Sequence, residues 1–297
     1  MKIYDCFMFF DEELLLDLRL NILDEYVDKF IITEATYMHS GKSKKLNFDI
    51  NKFSKFKEKI IYNVIDKQPS NLVSINKEDD KETTGKKLIN NSNKREHYQR
   101  EMALKSLGEA DPDDIILIND VDEIPNLKNV DFMKVNKKLI IFKQKMFCYK
   151  FNLLYEGICW HGSRACKKKD FISPQWLRDA KHKKYPMWRL DTLFSKIKYS
   201  SIHYVENGGW HFTNIKTPED IEKKYLNFLH HQDFEYSKLK LEDIRRIVKN
   251  KKILYDYNVD QRNYKWGSSK SLTKIPLYEM PDYINKNKDK YDEWLEN

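Results

Sequence analysis

The chain has little that could fix its fold covalently or anchor it in a bilayer. Only four of its 297 residues are cysteine (Cys6, Cys148, Cys159 and Cys166), and no two form a Cys-x-x-Cys pair. That density excludes a disulfide framework and leaves reduced, mostly buried thiols as the expectation, as in a cytosol-like compartment. No stretch approaches the roughly 20 consecutive apolar residues that a spanning helix needs. The first ten residues begin apolar but run into Asp11-Glu12-Glu13 without a small-residue cleavage site. They read as a first strand and not as a signal peptide, so the expected location is the cytoplasm. Internal repeats and a clear linker are also missing.

What is present is charge. Charged residues make up 34% of the chain and hydrophobic residues 40%, a highly charged globular composition with ample length for a packed core. The formal net charge of +8 comes mainly from lysine, in clusters such as Lys167-Lys168-Lys169 and Lys181-His182-Lys183-Lys184. Such clusters suit nucleic acid, a membrane surface or an anionic substrate. Abundant Lys, Asn, Ile and Tyr together also suit an AT-rich genome. A basic cleft that attracts a nucleotide diphosphate accounts for the charge, and nucleic acid is not expected as a partner.

Apolar runs predict strands over residues 2–9, 28–34 and 60–65, with a helix over 12–26 that gathers Leu15, Leu18, Ile22 and Leu23 on one face. Residues 76–94 are almost wholly polar and read as a mobile excursion, followed by a helix over 95–110. Further strands are expected over 139–149 and 199–204. Thr217-Pro218-Glu219-Asp220 is a helix start with proline at its first position, and residues 241–254 and 280–295 continue that helical character. Strands alternating with helices predict an α/β fold with a largely parallel sheet, whose ligands gather beyond the carboxyl ends of the strands.

The densest chemistry lies in Asp113-Asp114-Ile115-Ile116-Leu117-Ile118-Asn119-Asp120-Val121-Asp122-Glu123-Ile124-Pro125. A buried-strand signal runs into three carboxylates, and Asp120 and Asp122 can project the same way from an extended tip. Like charges that close repel unless a cation sits between them, and hard carboxylate oxygens suit magnesium or manganese shared with substrate phosphates. A solvated acidic turn is the alternative. The spelling argues against two rivals. Phosphatases of the haloacid dehalogenase type carry Asp-x-Asp-x-Thr, whereas Ile124 stands at the Thr position; nucleotidyltransferases usually place a Gly-Ser turn upstream, and none is present.

With these pieces placed, the chain resembles glycosyltransferase family 17 over nearly its whole length. The landmarks are Asp5-Cys6-Phe7-Met8-Phe9, Glu13-Leu14-Leu15-Leu16, Arg19-Leu20-Asn21, Glu34 with His39-Ser40-Gly41-Lys42, and Tyr98-Gln99-Arg100. After the acidic motif come Ser173-Pro174-Gln175-Trp176-Leu177-Arg178, Gly208-Gly209-Trp210-His211-Phe212-Thr213 and Met280-Pro281-Asp282-Tyr283-Ile284. The resemblance implies a GT-A fold, a Rossmann-like mostly parallel sheet flanked by helices with a helical C-terminal portion. It also implies a nucleotide-sugar donor, a divalent cation (manganese or magnesium), inversion at the anomeric carbon and a glycan acceptor. UDP-N-acetylglucosamine is the leading donor. A single domain is expected, with residues 1–125 as the nucleotide-sugar half, 126–215 as the acceptor half and 216–297 as a helical extension.

Roles follow residue by residue. Asp122 is expected to bind the metal directly, Asp120 to meet the ribose or a metal-bound water, and Glu123 to support them or stand in solvent. The resemblance implies His211 as a second metal ligand, with His230 and His231 as alternatives; the bland reading of His211 is a hydrogen-bonded core residue. Two glycines before it permit close approach to a ligand, and Trp210 could stack on a sugar or base. Glu34, Lys42 and Arg100 are candidates for the nucleotide end, although Arg100 could equally form a structural salt bridge. Inversion requires a carboxylate base, for which Asp191 and Glu206 are available. Trp160, Trp176 and Trp188 are candidates for the acceptor groove. A non-catalytic sugar-nucleotide or glycan-binding protein is the alternative function.

Overall fold

A computed structural model describes residues 1–186, 188–227, 231–257 and 265–297. Its strands are β1 (Ile3–Met8), β2 (Lys29–Ala35), β3 (Ile60–Ile65), β4 (Ile115–Asp120), β5 (Glu123–Pro125), β6 (Leu139–Phe142), β7 (Gln144–Cys148), β8 (Leu153–Trp160), β9 (Arg164–Lys167), β10 (Ile202–Val205), β11 (Gly209–Thr213) and β12 (Thr273–Lys274). The helices are α1 (Glu13–Leu23), α2 (Lys81–Glu101), α3 (Pro174–Asp179), α4 (Asp191–Phe194), α5 (Pro218–Asn227), α6 (His231–Ser237), α7 (Leu241–Lys249), α8 (Asp282–Lys286) and α9 (Lys288–Tyr291). Among the described residues, no helix is long and apolar enough to cross a membrane.

Seven strands form the main sheet in the order β10-β6-β9-β4-β1-β2-β3, as expected for a mostly parallel α/β fold. Pairings β4/β1, β1/β2, β2/β3 and β6/β10 are parallel, and only β9 runs against its two neighbours. The central strands β1, β2 and β4 are covered on both faces, which is why they are largely apolar apart from buried polar residues such as Asp5 and Glu34. Parity divides them cleanly. Ile115 and Leu117 of β4 join Phe7, Leu16, Leu20, Phe30 and Ile32 on the α1 side. Ile116 and Ile118 join Tyr4, Cys6, Ile31, Trp176 and Leu177 on the α3 side. Asn119 therefore falls on the α1 face and Asp120 on the α3 face.

The stretch over residues 139–149 is two strands and not one. β6 stays in the main sheet, while β7 enters a second sheet of order β12-β8-β7-β11-β5. The chain turns at Lys143, whose amide donates to Val205 O (3.1 Å) and whose carbonyl accepts from Gly208 N (2.7 Å). A Cβ on Gly208 would lie 2.6 Å from Val205 O and 2.7 Å from Lys143 N, so only glycine fits this corner. Helices α5, α6 and α7 close the far side of the second sheet through Met146, Tyr155, Ile221, Tyr225, Phe234 and Ile244.

Residues 76–94 are not an excursion. From Lys81 they form the first part of α2, whose N-cap Asp80 accepts from Thr83 N (2.7 Å). Asn91 ties this helix to the preceding loop through Val73 N (2.7 Å) and Val73 O (2.8 Å), and Lys87 pairs with Asp79 (2.7 Å). The helix lacks an apolar stripe because capping and polar side-chain contacts replace burial, which is why periodicity misses it. It ends at Glu101, short of residue 110, and a 3₁₀ turn (Met102–Ser106) follows. The C-terminal residues 280–295 form only the short α8 and α9 with a final 3₁₀ turn.

Candidate active site

The acidic motif is a turn between β4 and β5, and its shape is set from below by a buried arginine. Arg19 of α1 is fully buried and pairs with Asp5 of β1 through two bonds of 2.8 and 2.6 Å. Its remaining nitrogen donates to the carbonyls of Glu123 (2.7 Å) and Asp120 (3.2 Å). Asn119 also donates to Asp5 (2.6 Å). A buried charge pair that also caps turn carbonyls fixes one backbone path, which gives Asp5 and Arg19 their place in the sequence pattern.

From the other side, β11 pairs antiparallel with β5, so that His211 lies opposite Glu123, and Phe212 N donates to Asp122 O (2.8 Å). Gly209, at φ +125°, makes this approach possible: a Cβ there would sit 2.2 Å from Ile124 O. The two glycines thus admit neighbouring backbone and not a ligand, a correction to the sequence reading. The pairing sets the His211 Nε2 atom 3.6 Å from Asp122 Oδ2, beyond hydrogen-bond length. Trp160 of β8 stacks on the His211 ring at 4.5 Å and donates to Glu123 Oε1 (2.7 Å).

Two arginines neutralise the other carboxylates. Arg178 of α3 donates to Asp120 Oδ2 (2.6 Å), to both oxygens of Glu123 (2.6 and 2.8 Å) and to Gly162 O (2.6 Å). Arg100 of α2 donates to Glu96 (2.7 Å), Gln175 (2.6 Å) and the second oxygen of Asp120 (3.3 Å). Burial opposes ionisation of Glu123, but Arg178 outweighs it and holds that carboxyl below the ordinary glutamate range. Burial raises Asp120 above its usual value, with Glu123 adding to the rise and Arg178 and Arg100 opposing it. Asp122 has no arginine. Burial pushes it up, yet the neighbouring His211 carries it down to about 2.

A cleft of about 220 Å³ opens beyond the carboxyl ends of β1, β2 and β4, the position where parallel α/β sheets bind ligands. Its walls are Met8, Phe9, Phe10 and Glu12 after β1; Tyr37, Met38, His39 and Lys44 after β2; Glu96 and Gln99 of α2; Asp120, Val121 and Asp122 of the motif; and Lys224 of α5. Burial pushes the Glu12 carboxyl above and the His39 imidazole below their ordinary values.

Among the described residues, no group of three or more His, Cys, Asp or Glu is arranged to hold a metal ion. The Asp122–His211 pair still fits one that it shares with a ligand. Bonds of about 2.1 Å set two donors on one octahedral ion about 3 Å apart at a right angle and about 4 Å apart across it. The observed 3.6 Å falls between the two, so the carboxylate would have to close by about 0.6 Å to meet an ion at a right angle to the imidazole. A hard cation that takes only two protein donors leaves its other positions to water and phosphate, the usual arrangement for magnesium with a phosphorylated substrate.

Six of the residues singled out from sequence converge here: Arg100, Asp120, Asp122, Glu123, Trp160 and His211. The others go elsewhere. Glu34 is fully buried, pairs with Lys44 and accepts from Asn47 N (2.8 Å), Phe48 N (3.1 Å) and Tyr62 OH (2.8 Å). Its oxygens are engaged in holding the loop after β2. Lys42 is exposed outside the cleft wall, where Lys44 stands instead. Trp210 lies on the opposite face of β11 from His211 and packs against the main core, so the indole beside the motif is that of Trp160. Asp191 pairs with Arg189 (2.8 Å) and Lys198 (2.9 Å), and Glu206 pairs with Lys143 (2.6 Å); neither lines the cleft. Trp176 is core under α3 and Trp188 is 79% exposed. His230 and the side chain of His231 lie outside the described residues. Arg178, Glu12, Glu96 and Lys224 had no role assigned from sequence; Arg178, for one, meets Glu123 and Asp120 55 and 58 positions away.

No curated protein matches the chain significantly. Among solved structures, it is similar to 2-C-methyl-D-erythritol 4-phosphate cytidylyltransferase of Francisella tularensis, at 12% identity and a TM-score of 0.30 over 77% of this chain and 100% of that one. HddC of Yersinia pseudotuberculosis is similar at 13% identity and a TM-score of 0.31, over 70% of this chain and 91% of that one. Likeness that distant carries no argument about activity. The model of glycosyltransferase family 17 matches residues 1–295, essentially the whole chain. The protein belongs to glycosyltransferase family 17.

Proposed function

We propose that this glycosyltransferase is metal-dependent and inverting, and that it moves a sugar from a nucleotide-sugar donor onto a glycan hydroxyl, with UDP-N-acetylglucosamine as the leading donor. The observation that carries the reading is Asp122 on the wall of a cleft at the carboxyl ends of the strands, with His211 Nε2 3.6 Å from its Oδ2 and Asp120, paired with two arginines, beside it.

Asp122 and His211 would hold a manganese or magnesium ion. When bound, that ion acts as a Lewis acid for the leaving nucleoside diphosphate. Lys224 of α5, also on the cleft wall, offers a cation to the same phosphates. Phe10 and Tyr37 of the cleft wall offer aromatic rings suited to a nucleobase. Arg178 and Arg100 orient Asp120, so its role is to shape the site, in contact with ribose or with a bound water. Asp191 and Glu206 are replaced as candidate base by Glu12, a carboxylate of the cleft wall that burial primes to accept a proton.

Incubation with a panel of nucleotide sugars, with and without manganese, tests the proposal. Slow metal-dependent release of UDP from UDP-N-acetylglucosamine is the expected result, and turnover unaffected by chelator would refute it. Within the panel, Glu12→Gln is expected to lower turnover about 100-fold or more with little change in donor affinity.

A further inference from the structure

Outside the cleft, the segment over residues 181–198 between α3 and β10 presents an apolar tip on a basic base. Trp188, Leu190 and Phe194 are 79%, 71% and 88% exposed, a concentration of large apolar side chains that surfaces without a partner rarely show. Lys181, Lys183, Lys184 and Lys196 flank them, all exposed. The segment's single acidic residue, Asp191, is already paired with Arg189 and Lys198. Its base is fastened: Lys181 N donates to Ile197 O (2.7 Å), Tyr185 N to Tyr199 O (3.1 Å) and Trp176 Nε1 to Lys196 O (2.6 Å). The tip is therefore offered by a closed loop.

We propose that this loop docks the enzyme on an anionic membrane surface, with the three apolar side chains seated among the headgroups and the lysines against acidic lipid. Charge complementarity selects that occupant. A second copy would bring the same lysines against each other in an isologous contact. Nucleic acid would suit the lysines and Trp188 but leave Leu190 and Phe194 without a partner. Tryptophan, leucine and phenylalanine beside lysine is the composition of interfacial anchors. The loop begins within three residues of Arg178, so docking would bring the acceptor side of the motif toward lipid-borne material.

Co-sedimentation of the full chain with vesicles is the test. Pelleting is expected with phosphatidylcholine–phosphatidylglycerol vesicles at low salt and not with phosphatidylcholine alone, and high salt should reverse it. W188S/L190S/F194S should abolish pelleting while leaving the melting temperature unchanged, and each of K181Q, K183Q and K184Q should weaken it roughly fivefold. No pelleting on anionic vesicles, or pelleting unchanged by the triple substitution, would overturn the proposal. A dimer in sedimentation velocity that the triple substitution dissolves would assign the patch to a second copy and overturn it as well.

Discussion

Arg178→Ala removes the cation that Asp120 and Glu123 share. The guanidinium makes four bonds of 2.6–2.8 Å: one to Asp120, two to Glu123 and one to Gly162 O. Its side chain is 16% exposed, and that of Glu123 is 1% exposed. Its loss strands the Glu123 carboxylate, which keeps only the Trp160 and Asp120 N–H donors, while Asp120 retains Arg100. Removal of one partner of a buried pair costs about 3–5 kcal/mol, most of it the uncompensated charge that remains. Denaturant unfolding should show that loss as a shifted midpoint with an unchanged slope. The double variant Arg178→Ala with Glu123→Gln should recover part of it, because the stranded charge is gone. The pH dependence has a definite sign. Without Arg178, burial raises the folded-state pKa of Glu123 above its unfolded value, so the variant's deficit should shrink as pH falls from 7 toward 5. A loss under about 1 kcal/mol at pH 7, or a deficit that grows on acidification, would refute the argument.

Asp122→Ala should abolish transfer, and because His211 holds the Asp122 carboxyl down to about 2 it should also lower the melting temperature modestly; near-normal turnover would exclude it as a ligand. Gly209→Ala should cost about 3 kcal/mol or more, since its Cβ would meet Ile124 O at 2.2 Å and its φ is +125°; a neutral result in thermal unfolding would contradict the close pairing of β11 with β5. Burial pushes Glu96 up, but Arg100 and His39 outweigh it and hold it at about 2, against an ordinary value of 4.5. A depressed carboxyl stabilises above its unfolded pKa, so this contribution, up to about 3 kcal/mol, is complete above pH 4.5 and lost as pH falls toward 2. Glu96→Gln should flatten that part of the acid-unfolding profile, and an unchanged profile would remove the assignment.

The main sheet was legible because β2 and β4 bury the continuous apolar runs Phe30–Ile32 and Ile115–Ile118, and α1 repeats leucine at helical spacing. The second sheet was not, because no turn residue marks the boundary between β6 and β7, and their division at Lys143 depends on Gly208 and Val205, more than 60 positions away. Helix α2 was misread for the opposite reason: its stability lies in caps and polar pairs that hydrophobic periodicity does not register. Within the site, the Asp-x-Asp spelling and the His211 segment marked the right elements. Parity contained more than was drawn from it. Trp210 and His211 are neighbours on one strand and must face opposite sides, which excludes them from a shared site. Arg178 was visible as part of a pattern, but its role needs Asp120 and Glu123 beside it, and only the fold supplies them.

The central claim is that Asp122 and His211 hold a divalent ion against the donor's phosphates. Calorimetric titration of UDP into the parent chain, Asp122→Asn and His211→Ala, each with manganese and with chelator, tests it most directly, with melting temperatures taken on the same samples. The account predicts UDP binding by the parent that requires manganese, and at least about tenfold weaker metal-dependent binding in both variants. Equal UDP affinity with manganese and chelator, or a His211→Ala protein that melts early yet binds manganese and UDP normally, would contradict it.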